Sequence, residues 1–403
     1  MEIILYAIPG FFILIGLELI AEKVRGTDYY RVNDALTSLA TGVLSQLQKI
    51  VSLMVPFTIY IAIYKQYSLY TFDESVLVWV VAFITYDFFY YWAHRYAHEI
   101  NILWASHVLH HSSEEYNLTT ALRQTSTGLL SFIFFIPMAI IGFEPLMVAT
   151  VGAVNLVYQY WVHTQHIGKL GWYERFFVTP SNHRVHHAQN AVYIDRNYGG
   201  VFILWDRWFG TFQNELDEQP VIFGIRGALK SWNPLWANAQ FYVQLFNDFI
   251  HTKNWWYKTT IWFRRTGWRP PDVVEDHPLL KTDLNNFHKF DTDISTTTKI
   301  YTVTQYVINV GITLGVMLNF EHLTYIQQLG IITFVMISSF SMGAMLENKS
   351  YAPKLEFIKN VILFVVLIYF LPNNLPVILG MAVILSSIIL LIFGSQKTIG
   401  QTV

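Results

Sequence analysis

The 403-residue chain contains no cysteine. Disulfides, thiolate metal ligands and a cysteine nucleophile are therefore excluded, and any metal must be held by histidine or carboxylate. Charge is also scarce, with Asp, Glu, Lys and Arg making up 13% of residues and a formal net charge of -2. Without a long Lys/Arg run, the chain lacks the electrostatic footprint of a nucleic-acid binder. No basic residue precedes the first apolar segment and no small-residue cleavage site follows it. Ile3 to Ile20 is thus expected to be a retained anchor rather than a secretory leader. No lipidation signal or endoplasmic-reticulum retrieval tail is recognisable.

Apolar surface, by contrast, is abundant. Hydrophobic residues make up 53% of the chain and aromatic residues 17%, more than a soluble domain of this size needs, which predicts a membrane protein. A second apolar stretch runs from about Leu36 to Tyr64, lipid-like only from Ile50 onward because Gln46, Gln48 and Lys49 interrupt its first half. A third, Val76 to Trp92, ends in an aromatic cluster of the kind found where a helix leaves the bilayer. Two shorter arms, Leu129 to Ile141 and Leu146 to Tyr160, hinge at Gly142 to Pro145 and predict a membrane hairpin over about 128–161. Residues 167–298 lose the long apolar runs and read as a soluble, aromatic-rich region, with Pro270 to Pro278 as a linker. Four further apolar stretches follow: Ile300 to Leu318, Ile326 to Leu346, Phe357 to Leu371 and Val377 to Phe393. Pro372 to Pro376 turns the chain between the last two.

The expected fold class is all-α, a polytopic helical membrane protein with a cytosolic histidine-rich cap. Three regions are expected: N-terminal membrane helices over 1–93, a histidine-rich catalytic region over 94–298, and C-terminal membrane helices over 299–403. With the N-terminus outside, the loops carrying Lys23, Arg25 and Arg31, the histidine region, and Lys349, Lys354, Lys359 and Lys397 all fall inside; Lys65 is the exception. The positive-inside rule then places the histidines in the cytosol, at a bacterial inner membrane or the endoplasmic reticulum.

Ten of the fourteen histidines lie between His94 and His187. His94 and His98 form HxxxH, His107, His110 and His111 form HxxHH, His163 and His166 form HxxH, and His183, His186 and His187 form a second HxxHH. Spacings of three and four put the rings on one face of a helix, where several can converge on one point. Eight or more converging imidazoles exceed the needs of one tetrahedral zinc site and predict two metal ions. His251, His277, His288 and His322 stand alone and are read as packing residues. The zinc-hydrolase motif HExxH is missing, since Arg95, Val108, Thr164 or Arg184 follows each leading histidine, and so are the Glu-x-x-His pairs of soluble di-iron bundles. A pair of iron ions in a nitrogen-rich site, able to activate O2 beside a lipid bilayer, fits this pattern. Glu114, Glu115 and Asp195 are carboxylates that could orient ligand imidazoles through their second N–H; for Glu114 and Asp195 a solvated turn position fits equally well. Trp205 and Trp208 read as packing or interface residues.

The order HxxxH, HxxHH, single histidine, HxxHH resembles the fatty acid hydroxylase and sterol desaturase superfamily of membrane di-iron enzymes. Longer strings, His110 to Gln124, Asn182 to His187, Ile194 to Gly200, Trp205 to Phe212 and Lys299 to Gln305, resemble its branch that cleaves glyceryl ether lipids. That resemblance implies metal binding by His94, His98, His107, His110, His111, His163, His183, His186 and His187, with His166 outside the set. It also implies two Fe ions, O2 and tetrahydrobiopterin as reductant, with a pterin-recycling or electron-transfer reductase as partner. The expected reaction hydroxylates the ether-linked carbon of a bilayer lipid, and the hemiacetal falls apart into a fatty aldehyde and a glycerol derivative. A sterol, carotenoid or sphingolipid acyl hydroxylase or desaturase on the same centre is the alternative, followed by a zinc-dependent membrane hydrolase and a metal transporter.

Overall fold

A computed structural model describes residues 2–52, 54–128, 130–319 and 322–370, and among these it is helical, with only isolated β-bridges. The helices are α1 (Glu2–Arg25), α2 (Val32–Ser52), α3 (Met54–Tyr67), α4 (Val76–Glu99), α5 (Asn101–His111), α6 (Leu118–Ala121), α7 (Ile136–Ile141) and α8 (Pro145–Tyr160). They continue with α9 (Pro180–His186), α10 (Leu204–Trp208), α11 (Pro234–His251), α12 (Trp255–Thr260), α13 (Pro271–Asp276), α14 (Thr296–Asn319), α15 (Tyr325–Leu346) and α16 (Ala352–Phe370). Three of them, α4, α14 and α15, are long and apolar enough to cross a membrane. The expected stretch at 377–393 and the turn before it lie outside the described residues.

Two compact units can be distinguished. The first takes in Met1–Arg31, Gln48–Leu229 and Asn238–Lys289. Its centre is α4, started by Ser75, whose side chain accepts from the Val78 amide, and packed against α5 and α8. The two expected arms are a 3-10 turn over Leu130–Phe135 running into α7, and α8. Gly142 closes α7 at φ 115°, a left-handed conformation open to glycine. Glu144 then caps α8, accepting from the Met147 amide at 2.9 Å, with Pro145 at the first helical position. Tyr60, Ala82, Met138, Phe143 and Met147 form a core where α3, α4, α7 and α8 meet.

The apolar stretch expected over 36–64 is divided between α2 and α3. The first turns of α2 bury Asn33, Asp34, Thr37, Ser38, Thr41 and Ser45, a polar face that suits protein contact better than lipid. The prolyl run from Pro270 is not a free linker. Arg269 forms a buried pair with Asp248 (Nη2 to Oδ1, 2.7 Å) and donates to the His277 carbonyl at 2.9 Å, which docks α13 on α11.

The second unit takes in Val32–Leu47, Lys230–Ala237 and the described residues from Phe290 onward. Here α15 packs between α14 and α16. Lys359, fully buried, lies 2.7 Å from both Glu356 Oε2 and Gln305 Oε1, and Tyr301 donates to the same Glu356 oxygen. The buried charges of Glu356 and Lys359 are therefore paired and hydrogen-bonded, the condition for burying them.

Candidate metal centre

The C-terminal end of α4 presents His94 and His98 one turn apart, and a break at Ile100 sets α5 back against it. The Asn101 side chain holds this corner, donating to the carbonyls of Ile261 at 2.9 Å and Trp268 at 3.1 Å. His107 and His111 of α5 thereby face α4, with Nε2 atoms 3.0 Å from that of His94 and 3.1 Å from that of His98. α9 is a single short helix fixed by a capping box between Thr179 and Asn182 and by Pro180 at its first position. A bidentate pair from Arg184 to Glu215 at 2.8 and 2.7 Å secures its outer side. Beyond α8, the His163 ring donates Nδ1–H to the Gln159 carbonyl at 2.8 Å.

These elements gather the nine expected histidines into two groups. One contains His94, His98, His107, His111 and His186, the other His110, His163, His183 and His187, and within each group the ligand atoms lie within 4.8 Å of one another. The two HxxHH motifs are interleaved: the outer pair of the first serves one group while its middle histidine serves the other, and the second motif reverses the assignment. Across the divide, His111 stacks on His187 with ring centroids 4.3 Å apart. His166 belongs to neither group and packs edge-on against Tyr29 at 5.1 Å.

The donor atoms fit transition-metal ions. His94, His110, His163 and His186 place Nδ1 against the carbonyls of Tyr198, Arg123, Gln159 and Arg196 at 2.8 to 3.1 Å. A carbonyl only accepts, so Nδ1 carries the proton and Nε2 offers a lone pair to the pocket. His110 and His163 then face each other with two lone-pair-bearing Nε2 atoms 3.3 Å apart, an arrangement that a cation between them would stabilise. The His186 and His187 Nε2 atoms are buried without a hydrogen-bond partner, another feature that a metal ion satisfies. Nitrogen separations of 3.0 to 3.3 Å match neighbouring ligands at metal–imidazole bonds of about 2.1 Å. Burial pushes the pKa of His110 down to about 4 and those of His107, His111, His163, His183, His186 and His187 well below the ordinary value. The rings are neutral near pH 7, the form that binds metal.

The turn from Asp195 to Tyr198 is central to the five-histidine group. It supplies the carbonyls for His94 and His186, and it brings Asp195 Oδ1 within 4.0 Å of His98 Nδ1. Asp195 and Asn197 adopt φ of 60° and 55°, a conformation that Asp and Asn tolerate better than other side chains. The Asn197 amide bonds to the carbonyls of Asn182 and Gln213, and Asp206 accepts from the Tyr198 and Gly199 amides at 2.7 and 2.8 Å. Asp87, buried in α4, takes four donors: Val201 N, Phe202 N, Trp205 Nε1 and Asn155 Nδ2. Trp205 is thus a packing residue with its N–H satisfied, while Trp208 is exposed. Glu114 is buried, its Cγ packed close to Gly224. Glu115 does not orient a histidine; its carboxylate is shared by Arg31 and by Lys289, the latter at 2.6 Å.

Glu18, Asp87 and the carbonyls of Tyr198, Arg123, Gln159 and Arg196 were not readable as site residues. Glu18 accepts from the Leu118 amide at 2.8 Å and from Thr164 at 2.5 Å, tying α1 to the start of α6 and to the residue that follows His163. Its only sequence signal is an acid inside an apolar run. Backbone carbonyls leave no side-chain signal at all.

Helices long enough for a bilayer, together with two adjoining pockets whose candidate ligand atoms are all imidazole nitrogens, define a membrane protein with histidine clusters suited to holding metal. A fatty acid hydroxylase family model matches residues 79–211, which contain all nine histidines. The alkylglycerol monooxygenase of Homo sapiens is 35% identical over 357 residues, covering 87% of this chain and 79% of that protein. That of Danio rerio is 34% identical, covering 89% and 80%, and that of Xenopus tropicalis 42% identical, covering 64% and 58%. No solved structure matches the chain. The chain belongs to the alkylglycerol monooxygenase family of fatty acid hydroxylases, which places it among the oxidoreductases.

Proposed function

We propose that this protein hydroxylates the ether-linked carbon of alkylglycerol lipids with O2 and tetrahydrobiopterin. The observation that carries the reading is the pair of adjoining histidine pockets at the end of a membrane-length helix, in a chain whose relatives are named as alkylglycerol monooxygenases. Two iron ions held there would supply O2 activation, with His94, His98, His107, His111 and His186 around one and His110, His163, His183 and His187 around the other. Overall, RCH2–O–R′ gains one oxygen atom as RCH(OH)–O–R′. The second oxygen leaves as water after two electrons and two protons from the pterin, and the hemiacetal breaks its C–O bond to give aldehyde and alcohol. A C–H bond beside an ether oxygen is weaker than one deep in the chain, and a lipid whose polar end rests at the membrane surface reaches the pockets by a shallow approach. Asp195 is assigned to steadying His98, and Glu114 to supporting the first HxxHH from its buried place three residues beyond His111.

Purified protein with iron, labelled 1-O-alkylglycerol, O2 and tetrahydrobiopterin is expected to yield fatty aldehyde, and to lose that yield without the pterin. Aldehyde formed only with a reductase system would favour a different hydroxylase. Retained zinc with no lipid oxidation would favour a hydrolase. The distribution of basic loops supports a multi-pass arrangement with the pockets in the cytosol, where a pterin-recycling reductase would be the partner. The topology is tested at Asp217, whose side chain is 88% exposed. Asp217→Cys should resist an impermeant thiol reagent added outside intact cells; labelling from outside would overturn the orientation.

A further inference from the structure

The region read from sequence as soluble contains a surface that is inside out for a water-facing helix. Along α11, Val243, Phe246 and Ile250 form a stripe at helical spacing and face outward, Phe246 and Ile250 about half exposed. The opposite face buries Leu245 against Ala105 and Ile261, together with the Asp248–Arg269 ion pair. Apolar rings outside and an ion pair inside reverse the usual order of an aqueous surface. The surface continues into α12 and the turn after it, where Trp255 is 76%, Trp256 65% and Phe263 74% exposed.

Charge and position identify what covers it. From Lys253 to Arg265 the chain carries Lys253, Lys258, Arg264 and Arg265 and no acid. Lys258 caps the end of α11 through the Phe249 carbonyl at 2.6 Å, and the Arg264 guanidinium lies over the Trp268 ring at 4.9 Å. Exposed tryptophan and phenylalanine interleaved with cations are the composition of segments that lie in the headgroup layer, with rings in the acyl boundary and cations on phosphate. The segment is also fixed to the end of the helix that carries a span. Asn101 N donates to the Arg264 carbonyl at 3.0 Å, Thr266 N donates to the Glu99 carbonyl at 3.1 Å, and Glu99 is the last residue of the membrane-length helix α4.

We infer that residues 243–265, through the outer stripe of α11, Trp255, Trp256 and Phe263, form an interfacial docking element seated in the phospholipid headgroup layer beside the end of α4. The same element holds the α4–α5 corner through Asn101, so the histidine pockets are braced directly on the membrane surface.

The absence of cysteine from the chain gives a clean test. Trp256→Cys and Phe263→Cys, each labelled with an environment-sensitive fluorophore, are compared with labelled Asp217→Cys in the full protein reconstituted in phosphatidylcholine and phosphatidylglycerol vesicles. Nitroxide lipids labelled near the headgroup should quench the two test positions several-fold more than position 217, and aqueous iodide several-fold less. Iodide quenching equal to that at 217 would overturn the proposal. Shielding from both quenchers would overturn it too, since that result means a protein surface, a second copy included, covers the patch. A labelled variant that fails to elute with the parent protein is replaced by Ile250→Cys or Trp255→Cys, which report on the same layer.

Discussion

Four of the nine site histidines, His94, His110, His163 and His186, have a backbone carbonyl that decides which of their nitrogens faces the pocket, while His98 has a carboxylate near its Nδ1. His110 and His186 illustrate the consequence, for each donates Nδ1–H to a backbone oxygen and belongs to a different group. His110→Ala should therefore lower bound metal from about two ions toward one by emptying the four-histidine pocket. His186→Ala should do the same for the five-histidine pocket, both read by elemental analysis of purified protein. Unchanged content in either variant would break the assignment. Asp195 acts at longer range, 4.0 Å from His98 and 3.7 Å from Arg265. Its removal in Asp195→Ala should raise the metal dissociation constant by about 10-fold, at the mild end for an outer partner of a ligand; chelator competition gives the value.

At the scale of elements, the hairpin between α7 and α8 depends on one backbone position. A Cβ on Gly142 would lie 2.0 Å from the Tyr70 carbonyl oxygen, and the residue already has φ 115°. Gly142→Ala should cost on the order of 1–3 kcal/mol or more, strain of the size expected for such a conformation, seen as a lowered thermal midpoint in detergent. This hinge was legible from Gly-Phe-Glu-Pro between two apolar arms, because turn chemistry is written in side chains. The histidine spacing was legible for the same reason, since helical periodicity converts three and four residues into one face. The division of each HxxHH between two pockets was not, because it depends on how α5 and α9 are placed across from each other by Asn101, Thr179 and Arg184. The Asp195–Tyr198 turn was equally hidden: its task is performed by carbonyls and by two left-handed residues. The outward stripe within residues 243–265 was likewise hidden, because alternating rings and cations resemble a mixed surface until burial shows which side faces the protein.

For the molecule as a whole, the buried rings couple stability to pH. Burial pushes the folded-state pKa of His110 down to about 4, whereas in the unfolded chain it is about 6.5. Below 6.5 the unfolded state binds more protons, so stability rises with pH across this window and is level above it. The metal-free protein should thus lose thermal stability progressively from about pH 6.5 toward pH 4, and the six other depressed rings outside α4 steepen the fall. A thermal midpoint flat across that range would contradict the burial of neutral histidines. Metal release should share the sign, since protons compete for the same lone pairs.

The nine imidazoles have one more effect, on charge balance. Carboxylate-rich sites neutralise their ions with ligand charge, but none of the candidate ligand atoms in these two pockets is a carboxylate oxygen. A divalent pair held by neutral rings keeps its full charge in a medium that screens poorly. Such a centre is hungry for small anions: azide, cyanide or fluoride should enter readily and compete with one another, shifting the optical spectrum of the iron-loaded protein at concentrations well below those that perturb a carboxylate-bridged centre.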